Sequence, residues 1–182
     1  PRLSPTSEWD VAAGHALADF ALQTRWMVDR KHRASGLFAH GATVAACHFI
    51  TLLPFLGRDA TLAAGALTTA HVILDALKSA VSRRAPGRSL EWFLLDQLGH
   101  VALLGAAWVW LAGRVPPVAA MNLDAHALGT VALLVAAYAF NLNGMSAVVV
   151  ATLARLDMPV GNDGPPVGRV IGFLERVFAL TL

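Results

Sequence analysis

Six apolar runs divide the chain, at about 9–29, 36–57, 60–80, 90–113, 124–153 and 167–182, with short polar or basic connections between them. Most are near the roughly 20 residues an α-helix needs to cross a hydrocarbon core. The pattern predicts an all-α, polytopic transmembrane bundle of about six helices forming one transmembrane domain. A four-helix core carrying the polar residues would span about 9–113, with accessory helices over about 124–182. The first run contains Asp10, His15, Asp19, Gln23 and Arg25, so it can cross only with a polar face turned inward. The fifth contains "FNLNGMS" (140–146), whose two asparagines and glycine predict a bend or a broken helix. The last contains "GRVIG" (168–172), with glycines at i and i+4 that signal helix packing.

The connections predict the orientation. "RKHRAS" (30–35) supplies Arg30, Lys31 and Arg33, and "SRRAPGRS" (82–89) supplies Arg83, Arg84 and Arg88. "GRD" (57–59) and "GRVPPVAAMNLD" (113–124) each carry one arginine and one aspartate. Basic and neutral connections alternate as six crossings require, and the basic ones belong in the cytoplasm. The amino terminus, with Glu8 and Asp10, is then outside. The opening "PRLSPTSEWD" lacks the basic-then-apolar order of a signal peptide. The chain starts at proline and stops within the apolar "VIGFLERVFALTL", so a longer native chain is expected.

Composition agrees with a membrane protein. The chain is 56% hydrophobic and 14% charged, against about 25% charged in an average soluble domain. The formal net charge is +2 and no basic stripe with interleaved aromatics occurs, which argues against nucleic-acid binding. Cys47, the single cysteine, excludes an intrachain disulfide and reads as a small buried residue.

The predicted topology gives each polar residue inside the runs a depth, at about 1.5 Å of helical rise per residue. Asp19 falls near the midplane, with Gln23 further toward the cytoplasm. His40 lies in the cytoplasmic half and His48 near the middle. His71 is at mid-depth, Asp75 below it and Lys78 at the inner interface. Asp96 and Gln97 are in the inner half, and His100 is near the midplane. Polar groups from four helices thus share one slab. His15 and Asp19, His71 and Asp75, and Asp96 and His100 are each four residues apart, so each pair projects from one helix face. Asp19 to Asp75, His15 to His71 and His40 to Asp96 are all offset by 56 residues, as two tandem helical hairpins would give.

An ionisable side chain at the bilayer centre costs at least about 2.5 to 3.5 kcal/mol, so this set must pair internally, bind an ion or face water. Imidazole with carboxylate is a common ligand combination for zinc, manganese or iron. The favoured reading is a metal-dependent hydrolase or transferase in which His15, Asp19, His71, Asp75, Asp96 and His100 supply metal ligands. His40, Gln23 and Gln97 would orient those ligands or act as a general base. Lys78, near the inner headgroups, would hold an anionic group of a lipid- or phosphate-bearing substrate. One alternative is a non-enzymatic membrane subunit whose polar residues only pack helices. The other is an ion or metal transporter, less favoured because the outer half offers mainly Asp124, His126 and Asn141. His32 reads as a solvated loop residue, and the tryptophans near the segment ends as interfacial anchors. "GNDGPP" (161–166) reads as a turn. No G-x-S-x-G, H-E-x-x-H or Walker sequence is present.

"GHALADFALQTRWMVDRK", "GLFAHGA", "HVILDALKS" and "FLLDQLGH", in this order over residues 15–100, resemble the bacterial and phage membrane proteins known as domain of unknown function 3307. The later "VGRVIGFLERVFAL" is similar to that family too, whose members usually continue into another apolar segment. The resemblance implies a multi-pass protein of the bacterial cytoplasmic (inner) membrane, among membrane lipids, with no established activity. The family pattern includes the positions of His15, Asp19, Gln23, His40, His71, Asp75, Lys78, Asp96, Gln97 and His100. More distantly, the chain is similar to inner-membrane metal-dependent hydrolases with histidine and aspartate motifs. Substrate, metal, partner subunits and oligomeric state are left open.

Overall fold

The computed structural model describes residues 6–53, 57–85, 88–112, 114, 125–156 and 166–181. Among them the chain is helical, with no strand. The described residues form eight α-helices: α1 (Thr6–Ala16), α2 (Arg25–Arg30), α3 (Ala34–Thr51), α4 (Arg58–Arg84), α5 (Ser89–Leu111), α6 (Ala125–Ala139), α7 (Met145–Arg155) and α8 (Pro166–Thr181). Two π-helical turns, Leu17–Ala21 and Phe140–Gly144, continue α1 and join α6 to α7. Each of the six apolar runs contains helix. The turn expected at 161–166 and the connection at 113–124 fall almost wholly outside the described residues.

The first run is not one continuous helix. α1 and its π turn end at Ala21, and Thr24 restarts the chain as α2. Thr24 is extended, and its hydroxyl accepts a hydrogen bond from the Met27 amide at 3.3 Å, as an N-cap does. Gln23 therefore lies in the break. The bend expected at 140–146 is the second π turn, where the helix widens without ending. The two π turns meet: Phe20 and Phe140 pack edge to face with centroids 5.2 Å apart. A Cβ on Gly144 would stand 2.6 Å from the Phe140 ring and 3.1 Å from the Phe20 ring, so only glycine fits there. Among the described residues, a Cβ on Gly172, part of the expected α8 packing motif, would meet only the Arg176 side chain of its own helix. α8 instead docks through its Arg176 carbonyl, which accepts from Asn141 Nδ2 at 2.9 Å.

Among the described residues, three helices are long and apolar enough to cross a membrane: Arg58–Arg84, Leu90–Leu111 and Gly129–Leu153. Their faces are inverted relative to a water-soluble domain. On α5, Leu98 and Val101 are 65% and 62% exposed while Asp96 and His100 are 8% and 2% exposed. Ile73 and Leu77 point outward from α4, and His71 and Asp75 point inward. In water each exposed aliphatic side chain would forgo about 1.5–3 kcal/mol of burial. An apolar cluster of Val11, Leu52, Ala60, Ala63, Ala64, Leu67 and Leu111 fills one end of the α1–α3–α4–α5 core. The middle of that core is polar.

Candidate metal centre

Four helical segments place the polar side chains. α1 and its π turn carry His15 and Asp19, α3 carries His40 and His48, α4 carries His71, Asp75 and Lys78, and α5 carries Asp96 and His100. His71 is the central residue of the 27-residue α4. Asp75 and Lys78 follow about 6 and 10 Å further toward the Arg83–Arg84 end. The i, i+4 spacing brings His71 and Asp75 to one buried face. Gly41 lets α3 lie close against α4, since a Cβ there would be 2.9 Å from Val72 Cγ2. That approach sets His40 beside His71.

At the centre, His40 Nε2, His71 Nε2, Asp19 Oδ1 and Asp75 Oδ2 converge. The imidazole nitrogens are 3.1 Å apart. His40 Nε2 is 3.3 Å from Asp19 Oδ1 and 2.9 Å from Asp75 Oδ2. His71 Nε2 is 3.1 Å from Asp19 Oδ1 and 3.5 Å from Asp75 Oδ2. Five edges of a four-atom figure therefore lie between 2.9 and 3.5 Å. Zinc bound to nitrogen and oxygen at about 2.0–2.1 Å sets tetrahedral ligand atoms about 3.3–3.4 Å apart. His40 Nε2, His71 Nε2 and Asp75 Oδ2, 2.9–3.5 Å apart, have the spacing of three ligands of such an ion. Among the described residues, His40, His71 and Asp75 are one of three groups whose ligand atoms lie within 4.8 Å of one another, and all three of these residues are buried.

The other two groups are His15 with Asp19 and His71, and Asp75 with Asp96 and His100. All six residues expected as ligands from the spacing thus gather around one site, at different distances. His15 Nε2 is 3.9 Å from Asp19 Oδ2, and its ring stacks on His100 with centroids 4.9 Å apart. His100 Nδ1 lies 2.8 Å from the Asp96 backbone carbonyl and can donate to it, which leaves a buried, unpartnered Nε2. Of the four residues expected to orient or catalyse, His40 stands in the innermost group. The Gln23 carboxamide nitrogen lies 3.2 Å from both His40 ring nitrogens. Gln97 donates to Asp96 Oδ2 at 3.3 Å, and Lys78 Nζ is 2.7 Å from the same oxygen.

Three further residues join the site that sequence spacing did not single out. Lys31 Nζ is 2.8 Å from Asp75 Oδ1. It belongs to a basic connection that reads as a topology signal, and its partner is 44 residues away. His48 is buried, its Nδ1 3.3 Å from Thr68 Oγ1 and its Nε2 unpartnered. Asn143, on the second π turn, donates to the Phe20 carbonyl next to Asp19. Beside the centre lies a cavity of about 360 Å³, lined by residues that include Asp19, Lys31, Lys78, Asp96 and Asn143.

Fold and site define an all-helical protein with membrane-capable helices around a buried histidine–aspartate cluster. The chain belongs to the family described as Protein of unknown function (DUF3307), whose model matches residues 11–128. The match runs from within α1 to the start of α6 and includes every residue of the innermost group. No curated protein and no solved structure matches the chain.

Proposed function

We propose that the protein is a metal-dependent hydrolase or transferase of the bacterial inner membrane, acting on a membrane-embedded or phosphate-bearing substrate. The observation that carries this reading is the convergence of His40 Nε2, His71 Nε2 and Asp75 Oδ2 within 2.9–3.5 Å of one another, with Asp19 Oδ1 3.1–3.3 Å from both imidazole nitrogens. Purely structural glue would have no need to bring two imidazole nitrogens and two carboxylate oxygens to bear on one point. In this reading His40 is a ligand, and Gln23, turned to present its carbonyl to Nδ1–H, orients it. The inverted surface suits lipid as the surrounding solvent. Six crossings with the amino terminus outside would put the centre in the cytoplasmic half, consistent with the positive-inside distribution.

A catalytic zinc keeps three protein ligands and an open fourth position. His40, His71 and Asp75 are 0–2% exposed, and Asp19 alone of the four lines the cavity. Asp19 therefore marks the corner where water or substrate would enter, and it is placed to take a proton there. When bound, the metal would activate a water or polarise a phosphoryl oxygen. We expect Asp19→Asn to keep a bound metal while losing turnover about 10²- to 10⁴-fold, the usual share of a general base. Asp75→Asn should lose the metal itself. Product release from phosphate esters and phospholipids, run beside metal analysis of both variants, tests this. Equal metal and equal turnover in parent and Asp19→Asn would refute the assignment.

Asn143 has a positioning role in the same reading, since it pins the π turn that presents Asp19. Asn143→Ala should keep the metal and lower turnover by about 10- to 100-fold, as loss of an outer orienting contact does. Product release measured beside metal content checks it, and an unchanged turnover would remove Asn143 from the site.

The two lysine–aspartate pairs favour a second reading, a non-enzymatic subunit stabilised by a polar network. A transporter has less support. Beyond His48 the core is apolar at Val11, Leu52, Ala60, Ala64 and Leu111, with buried Asp10 the exception.

A further inference from the structure

Lys31 and Lys78 reach the same cavity from different elements, one just after α2 and the other on α4. Each ammonium contacts one carboxylate oxygen, Asp75 Oδ1 for Lys31 and Asp96 Oδ2 for Lys78. An ammonium has three donors, so each lysine keeps hydrogen-bonding capacity toward the cavity. Gln23, Gln97 and Asn143 add carboxamides to its wall, and Phe20 and Phe93 add apolar surface. Roughly 30 Å³ is the share of one water in the liquid, so 360 Å³ exceeds what a lone oxyanion fills and leaves room for what is attached to it.

The charges make occupancy conditional. With the carboxylates ionised and the imidazoles neutral, Asp19, Asp75 and Asp96 outweigh Lys31 and Lys78 by one negative charge, and one proton on His40 or His71 brings the set to zero. A divalent cation at the centre, which needs those imidazoles neutral, carries the balance to one positive charge. Close to a low-dielectric wall, such a reversal decides whether an anion enters.

We propose that this cavity is a phosphate seat formed by Lys31 and Lys78, and that it fills only after the metal is bound. The proposal rests on the metal-centre reading and adds to it an anion site, a second lysine and an order of binding. The phosphate chemistry is shared by a free anion and by a phosphomonoester lipid headgroup.

The test uses the full chain in detergent and has three arms. Zinc alone is titrated first, which decides the metal reading by itself. Inorganic phosphate is then titrated into metal-free and zinc-loaded protein. Finally, the protein in phosphatidylcholine nanodiscs, with or without phosphatidic acid, is titrated with zinc. Phosphate should bind the zinc-loaded protein at least about tenfold more tightly than the metal-free one. Lys78→Gln should still bind zinc but lose that gain. Tighter zinc binding in phosphatidic acid discs, with no response to free phosphate, would assign the seat to a lipid headgroup. Zinc binding without any effect of phosphate or phosphatidic acid overturns the phosphate seat and leaves the metal centre standing. Equal phosphate binding with and without zinc overturns the order of binding, and no zinc binding overturns both. Comparing the parent with and without zinc keeps the test decisive even where Lys78→Gln folds poorly.

Discussion

Replacing His40 with alanine should strip the metal from the protein as completely as replacing His71. Their Nε2 atoms face each other at 3.1 Å and each lies within 3.5 Å of both central carboxylate oxygens. Removing either takes away one of the three innermost ligands. The loss of affinity should exceed the about 10- to 100-fold typical of an outer orienting residue. His15→Ala makes the contrast. Its nearer nitrogen is 3.9 Å from Asp19 Oδ2, so it should shift affinity without abolishing binding. Cobalt substitution reads all three variants, because a tetrahedral site gives cobalt(II) a strong visible absorption. That band should vanish in His40→Ala and His71→Ala and persist in His15→Ala. A His40→Ala protein with the parent spectrum would return His40 to an orienting role.

The second large effect is on stability. Lys31→Met should destabilise the metal-free protein by about 3–5 kcal/mol, the cost of stranding one partner of a buried ion pair. Asp75 is 1% exposed and Lys31 is its 2.8 Å counterion. By contrast, Arg155 and Glu91 sit 3.5 Å apart with side chains 60% and 36% exposed, so Arg155→Ala should cost no more than about 1 kcal/mol. Zinc should recover much of the Lys31→Met loss, since a cation at Asp75 Oδ2 restores the missing positive charge. Cys47, the single cysteine and a buried one, reports unfolding through its reaction with a thiol reagent on heating. Equal midpoints for Lys31→Met and Arg155→Ala would mean that the Lys31 pair contributes little.

The helical architecture was legible because apolar runs of spanning length leave few other folds for the backbone, which must satisfy its hydrogen bonds internally in lipid. The gathering of His15, Asp19, His71, Asp75, Asp96 and His100 was legible for a related reason. Their i, i+4 spacing fixes a shared face, and the cost of isolated charges forces those faces together. The break at Leu22–Thr24 was not, because a single threonine cap outweighs an apolar pattern that continues across it. Nor was the inner position of His40, which depends on how closely α3 approaches α4 at Gly41. Lys31 was hidden by its own neighbourhood: among Arg30 and Arg33 it reads as a loop cation, and only tertiary packing brings it to Asp75. The role of Asn143 likewise depends on two π turns meeting, a contact between residues 123 positions apart.

The central claim is that the buried histidine–aspartate cluster holds one metal ion between His40, His71 and Asp75, with Asp19 beside its open position. Elemental mass spectrometry of the detergent-purified protein, beside a His71→Ala, Asp75→Ala double variant, tests it most directly. The account predicts stoichiometric zinc, manganese or iron in the parent and none in a double variant that still shows helical circular dichroism. A parent that stays metal-free after supplementation with all three ions would contradict it, and the cluster would then be a packing seam between helices.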